Sequence, residues 1–251
     1  MESPVIARTD GAVGFLRLNR PERRNALTPP MLEFIEQQTA AWEGDASVGV
    51  LVIEAGGSAF CAGADIEFLS TVDEPRMRAW ELLGNRVLDR IENSRLISIA
   101  SLNGPAMGGG LTLAAACDFR MAAAHASFAQ PEIELGWVPG WNGVRRLARS
   151  AGAHWAKRLS LTGERIGSER AQQIGFVDRV IAAEQLAAAT LDFARGIAAA
   201  GPAASAVKLL ADGGPAMAHH FDALVNSSLL HSEKGKLMIK KFLEKRSTAS
   251  V

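Results

Sequence analysis

The sequence predicts an α/β fold, with a core of alternating strands and helices followed by a helical C-terminal region. Residues 48–53 form a short apolar run rich in β-branched residues, typical of a strand buried on both faces, and residues 96–102 predict a second buried strand. A strand, a loop and a helix recur roughly every forty to fifty residues, without a sequence repeat of fixed period. From Gly167 onward the pattern becomes helical. We therefore predict a core over residues 1–190 and a helical region over residues 191–251.

The individual elements follow from local signals in chain order. Residues 13–18 predict a strand, which ends at the polar residues before Pro21. Thr28 followed by two prolines predicts a helix start, because a hydroxyl can cap free amides and proline has no amide to leave unbonded. Leu32, Ile35 and Trp42 then recur at helical spacing. Further helices are predicted over residues 75–91, 111–117, 168–174, 183–200, 202–210 and 215–242, and a further strand over residues 118–122.

Composition argues against several classes of protein. The chain has 251 residues, 48% of them hydrophobic and 22% charged, which are the usual proportions of a globular domain. Its 27 basic and 27 acidic residues cancel, which argues against general binding of nucleic acid phosphates. Its apolar runs are shorter than the ~20 residues that span a bilayer, and its first residues lack the features of a signal peptide. The two cysteines and five histidines show no metal-ligand spacing. We expect a cytoplasmic protein with no nucleic acid, membrane or metal partner.

Two glycine-bearing segments, residues 60–66 and 103–110, each follow a predicted buried strand. Small residues allow a ligand to approach the backbone closely, and the second segment opens a helix, whose N-terminal amides favour negative charge. Each segment taken alone is also compatible with a simple tight turn. Two such amides that converge on one point would form an oxyanion hole. The chain has no Walker A, G-x-G-x-x-G or G-x-S-x-G motif that would indicate another chemistry.

An ordered set of motifs resembles the crotonase family, the enoyl-CoA hydratase/isomerase superfamily, over nearly the whole chain. The resemblance implies a spiral of ββα units with a C-terminal helical trimerisation region, and assembly into homo-trimers or hexamers. It also implies an acyl-CoA thioester substrate, of which coenzyme A is a part, so no separate cofactor is expected. The matching segments are residues 20–27, 60–65, 103–110, 130–132, 139–143, 161–166 and 242–246.

The resemblance also implies roles for particular residues. The amides of Ala64 and Gly109 would donate hydrogen bonds to the thioester oxygen, and Glu132 of the Gln-Pro-Glu motif would transfer protons. Asp65 would hold the first loop in shape. Independently of the resemblance, we assign Trp137 and Trp141 to the lining of an acyl pocket, although buried tryptophans more often serve packing alone. The residues implied to contact the substrate or its CoA portion also include Arg24, Ala26, Ala62, Gly63 and Ile66.

The C-terminus is basic, with six Lys or Arg and two Glu in the last 21 residues, a local net charge of +4. This charge is either a solvated helix face or a contact with a phosphate-bearing ligand or a neighbouring subunit. The resemblance implies that Lys245, with Phe242, reaches the nucleotide end of CoA, either in its own subunit or from an adjacent one.

One position departs from the pattern of family hydratases, which use two glutamates. Glu132 matches the second, but the first falls at Thr112, which cannot exchange a proton at neutral pH. Loss of one carboxylate should weaken hydration by about 10²–10⁴-fold. One base suffices to move a double bond from position 3 to position 2, so we predict isomerisation slightly ahead of hydration. Some dienoyl isomerases carry a second acid at the position of Gly140, which is absent here.

Alternatives remain at this point. Thr112 could position a water in a hydratase or a hydratase-lyase, although the lyases also use a tyrosine and this chain has none. A catalytically silent CoA-binding scaffold is compatible with the loss of the first glutamate. An RNA-binding relative is disfavoured, because residues 31–42 of the first long helix contain Glu33 and Glu36 but no Lys or Arg. The resemblance implies a role in fatty acid metabolism. It does not specify the acyl chain.

Overall fold

The computed structural model describes residues 3–212 and 225–248. Its internal contacts divide the chain into two compact units, Met1–Ala199 and Ala200–Val251. The boundary that we predict after residue 190 falls inside the helix Leu186–Ala200. In the described part of the chain, no helix combines the length and apolar character needed to cross a bilayer.

The first unit is built on a six-stranded sheet and a smaller three-stranded sheet, in the orders β1-β2-β3-β4-β6-β9 and β5-β7-β8. In the larger sheet only the edge pair β1–β2 is antiparallel, and the remaining neighbours are parallel. The described strands are β1 (Val5–Asp10), β2 (Val13–Leu18), β3 (Val50–Ala55), β4 (Ile97–Leu102), β5 (Ala106–Met107), β6 (Phe119–Ala123), β7 (Ser127–Ala129), β8 (Ile166–Gly167) and β9 (Arg179–Ile181).

Helices cover the sheet and form the described part of the second unit. Short 3₁₀ turns occupy Pro21–Arg23, Pro131–Leu135 and Ala183–Gln185. The α-helices are α1 (Pro29–Gly44), α2 (Ile66–Leu69), α3 (Glu74–Asn93), α4 (Gly109–Ala115), α5 (Gly143–Thr162), α6 (Ser168–Gln173), α7 (Leu186–Ala200), α8 (Pro202–Asp212) and α9 (Glu233–Thr248).

The predicted core strands are confirmed. All six residues of β4 are buried, and β3 is buried over its first four residues, as expected for parallel strands with helices on both faces. The predicted start of α1 is also confirmed at Thr28, but the Thr28 side chain accepts no capping bond, so the two prolines are the effective signal there.

One helical prediction was wrong, and several elements were missed. Residues 225–231 are helical, but the chain bends at Ser232 before α9, so a single helix over 215–242 is not formed, and its first part lies outside the described residues. The Ser232 hydroxyl explains the break, because it accepts a bond from Gly235 N–H and thereby caps a new helix. The long helix α5 was missed. Strands β1, β5, β7, β8 and β9 were also missed. All of these except β1 have only two or three residues, too few for a periodic pattern.

The fold brings two loops together at the carboxyl ends of β3 and β4. Isolated parallel bridges join Leu27 to Ala64 and Cys61 to Ala106, so the loop after β3 lies between the chain before α1 and the chain before α4. Gly110 allows α4 to approach this loop, because a Cβ at that position would lie 2.3 Å from the Cys61 carbonyl oxygen. The N-terminus of α4 is therefore held directly against the first loop.

We predict that Gly110→Ala destabilises the protein by about 1–3 kcal/mol, the usual cost of overpacking, because the clash is with backbone that cannot rotate away. Urea unfolding measures the change. Gly196→Ala in α7 is the matched control, since an added Cβ there meets nothing within 4 Å, and it should stabilise by about 0.5–1 kcal/mol. Equal midpoints for the Gly110 variant and the parent protein would contradict this account of the close approach.

Candidate active site

A cleft of about 700 Å³, including the space at its open mouth, lies where the two loops meet α3 and the chain after β7. Three tryptophans and several aliphatic side chains form most of its wall, and among its lining residues only two are ionisable, Glu81 and Glu132. The rings of Trp80 and Trp141 pack edge to face with centroids 4.9 Å apart. The lining residues are Ala62, Gly63, Ala64, Ile66, Leu69, Met77, Trp80, Glu81, Gly108, Gly109, Pro131, Glu132, Leu135, Trp137, Val138, Gly140 and Trp141.

Two backbone amides, those of Ala64 and Gly109, lie close together at this cleft. The Leu27 N–H donates to the Gly63 carbonyl (2.8 Å), and the Leu27 carbonyl accepts from the Asp65 N–H (3.0 Å). Because Gly63 and Asp65 form both bonds of this parallel bridge, the N–H of Ala64 between them points away from Leu27. Gly109 is the first residue of α4, where amides have no helical partner. A Cβ on Gly109 would lie 3.5 Å from Ala64 N, and within the described residues neither amide donates to a protein acceptor. The pair is suited to hold an oxygen that carries negative charge.

The backbone around these amides requires glycine. Gly63 has φ of +104° and Gly108 has φ of +50° with ψ of −122°, conformations that side chains disfavour strongly. A Cβ on Gly63 would also lie 3.3 Å from Gly109 N. These glycines allow the first loop and the start of α4 to present their amides on the same side.

Glu132 is the carboxylate next to these amides. It stands in the 3₁₀ turn after Pro131, and a Cβ on Gly108 would lie 3.0 Å from Glu132 Oε1. Burial in the apolar cleft raises the pKa of Glu132 above its ordinary value, and a backbone hydrogen bond opposes this only in part. Its Oε2 is buried and has no hydrogen-bond partner in the described part of the chain. The Glu132 carboxyl is therefore the candidate for proton exchange with a ligand in the cleft.

Thr112 lies behind the cleft and is not among the lining residues. Its side chain is fully buried, and its hydroxyl donates to the Gly108 carbonyl (3.2 Å) and accepts from Gln130 Nε2 (3.4 Å). Ser160 in turn donates to Gln130 Oε1 (2.6 Å). The Thr112 hydroxyl thus belongs to a buried network that joins α4, the chain before Glu132 and α5.

Asp65 holds the end of the first loop. Its carboxylate caps α2 by accepting from Phe68 N–H (3.2 Å) and receives Arg20 Nη1 (3.1 Å). Partial burial works in the opposite direction, but the bonds from Phe68 and Arg20 together keep the pKa of Asp65 below its ordinary value. Asn25, whose role was not predicted, is fully buried with φ of +56°, and its side-chain amide donates to the carbonyls of Gly56 and Ala59 (2.9 Å each).

The residues implied to contact CoA do not all meet in this cleft. Ala62, Gly63 and Ile66 line it, and Ala62 N–H donates to the Arg24 carbonyl (2.9 Å), but Arg24 and Ala26 are not lining residues. Trp137 lines the cleft and is 43% exposed, which leaves its ring accessible to a ligand. Phe242 and Lys245 belong to α9, and their side chains lie outside the described residues.

A strained turn forms the far wall of the cleft. Trp141 and Asn142 both have left-handed backbone, with φ of +53° and +55°, although neither is glycine. The fully buried Arg146 holds this turn by donating to the Trp141 carbonyl (2.9 Å) and to Asp89 on α3 (2.7 Å), and it is also paired with the buried Glu92. Separating Arg146 from Glu92 would leave a buried charge without its partner, which is strongly destabilising. The positions of α3, α5 and the turn therefore depend on one another.

Glu81 was missed as a site residue. It lies in the middle of α3, and its Oε2 accepts the Trp141 N–H (3.1 Å) although the two residues are 60 positions apart in sequence. No local motif marks a carboxylate that reaches the cleft from a separate helix. Among the described residues, no group of three His, Cys, Asp or Glu side chains could hold a metal ion.

Comparison with known proteins shows the family of this chain. A family model described as enoyl-CoA hydratase/isomerase matches residues 8–249. A crotonyl-CoA hydratase of Syntrophomonas wolfei is 39% identical over 183 residues, 72% of this chain and 70% of that protein. A short-chain-enoyl-CoA hydratase of Clostridium acetobutylicum is 36% identical over 201 residues, 80% of this chain and 77% of that protein.

Solved structures share the fold. The structure of an enoyl-CoA hydratase from Bacillus anthracis is 28% identical and has a TM-score of 0.91, covering 97% of each chain. A structure from Geobacillus kaustophilus described as enoyl-CoA hydratase subunit I is 34% identical, with a TM-score of 0.88 over 97% of this chain and 96% of that one. The fold class that the motifs predict is thereby confirmed.

We predict that Asp65→Ala lowers stability by about 0.5–2 kcal/mol, because α2 loses its N-cap. Asp73→Ala is the matched control, since Asp73 caps α3 by accepting from Arg76 N–H (3.0 Å). Amide hydrogen exchange distinguishes the two variants: protection should fall in residues 66–69 for the first and at the start of α3 for the second. Unchanged exchange in residues 66–69 of Asp65→Ala would disprove the capping role.

We predict that Glu132→Gln stabilises the protein at pH 8 but not at pH 4. A raised carboxyl pKa means that the folded state holds its proton more tightly than the unfolded chain, so stability falls as pH rises from the ordinary glutamate pKa through the raised one. Urea unfolding at both pH values measures the difference. Glu134→Gln, on the exposed side of the same turn, should give no comparable pH-dependent gain. Loss of stability in Glu132→Gln at pH 8 would contradict the burial argument.

Proposed function

Because the chain belongs to the enoyl-CoA hydratase/isomerase family, we propose that it binds an enoyl-CoA thioester in the tryptophan-lined cleft and transfers protons on the acyl chain through Glu132. One observation carries this proposal: two amides without protein partners and a half-buried carboxyl open onto the same apolar cleft. The cleft accepts an apolar acyl chain, and the amide pair accepts the thioester oxygen.

The amides of Ala64 and Gly109 stabilise the charge that develops on this oxygen. Proton loss or water addition beside a thioester carbonyl passes through an enolate-like oxyanion. A preorganised donor of this kind typically contributes ~2.7–4 kcal/mol to catalysis, because it costs no reorganisation during the reaction. Gly109 lies in the first turn of α4, so the positive end of the helix dipole also stabilises negative charge on this oxygen.

Hydration of a 2-enoyl-CoA is the reaction that we propose first. Relatives that cover most of this chain are named crotonyl-CoA hydratase and short-chain-enoyl-CoA hydratase, and these names favour hydration over the isomerisation that the motifs alone favoured. Glu132 in its protonated form would deliver the proton to C2, and its raised pKa favours that form.

Isomerisation of a 3-enoyl-CoA to a 2-enoyl-CoA is the second candidate. The specific observation in its favour is Thr112, because its buried hydroxyl replaces a carboxylate and leaves Glu132 as the base of the Gln-Pro-Glu motif. Glu132 would remove a proton from C2 and return one at C4 while the two amides hold the dienolate. A silent scaffold that binds CoA without turnover is the alternative that an assay distinguishes.

We also propose that the adenosine end of CoA contacts residues outside the cleft, among them Arg24, Ala26, Phe242 and Lys245. Arg24 is exposed, and its carbonyl is already bonded to Ala62 N–H at the cleft rim, so this part of the chain leads from the cleft to solvent. Assembly into homo-trimers or hexamers is part of the same proposal.

We predict that Glu132→Gln lowers kcat for crotonyl-CoA hydration by about 10²–10⁴-fold, the usual contribution of a general acid–base group. KM should change little, because the amides, the cleft wall and the CoA contacts are retained. The decrease in enoyl-thioester absorbance follows the reaction, and a 3-enoyl-CoA is assayed in parallel. Glu134→Gln serves as the control. Full activity of Glu132→Gln on both substrates would eliminate Glu132 as the proton-transfer group.

A further inference from the structure

Hydration requires two proton transfers, one from water and one to C2, and Thr112 serves neither. Its hydroxyl is buried, is bonded within the network of Gln130 and Gly108, and does not line the cleft. A threonine hydroxyl also does not ionise in the accessible pH range. If Glu132 supplies the proton to C2, the group that takes the proton of the attacking water lies in another part of the cleft wall.

Glu81 is the second carboxylate of this wall. It lies in α3 next to Trp80, and of the cleft-lining residues that the structure describes only Glu81 and Glu132 are ionisable. The two carboxylates enter the cleft from different elements, α3 and the 3₁₀ turn after β7. Both line one cleft, together with the tryptophans and glycines that would enclose the acyl chain.

Gly140 makes room for the Glu81 carboxylate. A Cβ at position 140 would lie 2.6 Å from Glu81 Oε1 and 2.9 Å from Oε2, so any side chain there would displace the carboxylate. The backbone of Gly140 does not have positive φ, so conformational need does not explain this glycine. Its absent side chain is explained by the carboxylate that fills the space.

One oxygen of Glu81 is fixed and the other is open. Oε2 accepts the Trp141 amide, which orients the carboxylate against the strained turn. Oε1 receives no hydrogen bond from a described residue, so it can accept one from a water molecule in the cleft. An oriented carboxylate with a free oxygen is the arrangement that a general base requires.

We infer that Glu81 is the general base of hydration, a catalytic residue that takes a proton from the attacking water while Glu132 acts as the acid. The water oxygen forms a bond to C3, one water proton passes to Glu81 Oε1, and the C2=C3 electron pair moves onto the thioester oxygen as an enolate. The enolate re-forms the carbonyl as C2 takes the proton of Glu132. The product is a 3-hydroxyacyl-CoA, and proton exchange with solvent returns Glu81 to carboxylate and Glu132 to acid. This inference rests on the proposed function.

A positioning role for Glu81 makes a different prediction. If Glu81 only holds the Trp141 turn, a glutamine should replace it, because the amide oxygen of glutamine also accepts from Trp141 N–H. A base cannot be replaced in this way, since glutamine takes no proton. The pair Glu81→Gln and Glu81→Ala therefore separates the two roles.

The test measures hydration of crotonyl-CoA, isomerisation of a 3-enoyl-CoA and urea unfolding for the parent protein, Glu81→Gln, Glu81→Ala and the control Glu74→Gln on the exposed start of α3. We expect hydration kcat of Glu81→Gln to fall by about 10²–10⁴-fold, with KM, unfolding midpoint and isomerisation unchanged, because isomerisation needs only Glu132. The control should match the parent protein in every measurement.

Two kinds of result would overturn the inference, and a third would overturn the proposed function. Hydration by Glu81→Gln at the parent rate, with a loss only in Glu81→Ala, would assign Glu81 to positioning. Equal loss of hydration and isomerisation in Glu81→Gln, or a shifted unfolding midpoint, would assign it to structure. A parent protein that converts neither thioester would instead overturn the proposed function, which separates that failure from a failure of the Glu81 assignment.

Discussion

The close approach of the loop after β3 to the N-terminus of α4 is the constraint on which the site depends. Gly63 and Gly108 adopt conformations that other residues disfavour, and Gly110 removes the side chain that would strike the Cys61 carbonyl. This approach leaves the amides of Ala64 and Gly109 side by side and without protein acceptors. Two donors without protein acceptors at a cleft are available to a ligand oxygen.

The electrostatics of the cleft follow from the same geometry. Its wall is mostly tryptophan and aliphatic, so the Glu132 carboxylate loses hydration and its pKa rises. The same apolar surroundings strengthen the attraction of the two amides for a developing oxyanion. A fully hydrated cleft would stabilise the ionised form of Glu132 better. It would also reduce the rise in the pKa of Glu132 and weaken the attraction of the amides for an oxyanion. The site therefore gives up folding stability where the proposed chemistry needs a proton carrier.

Rigid support for the cleft comes from buried polar contacts on its outer side. Thr112, Gln130 and Ser160 join α4 to α5, while Arg146 ties the Trp141 turn to Asp89 and Glu92 of α3. Both networks contact the backbone near the cleft without lining the cleft itself. Because a buried charge or hydroxyl is costly without its partner, each network favours a single arrangement of the wall. The left-handed Trp141 and Asn142 persist because this support over-determines them.

The sequence by itself determined the buried core strands and the two glycine loops, because buried strands and close backbone approach each leave a local pattern. Glu132 was assigned through the resemblance of its motif to the family. The sequence did not determine the edge strand β1, the bend at Ser232, the short strands or α5, where local signals were too weak. Only the tertiary structure decided that Thr112 points away from the cleft and that Glu81 enters it beside Gly140. The physical reason is that helix packing sets which side chains share a cavity, and packing between residues 60 positions apart leaves no trace in local sequence.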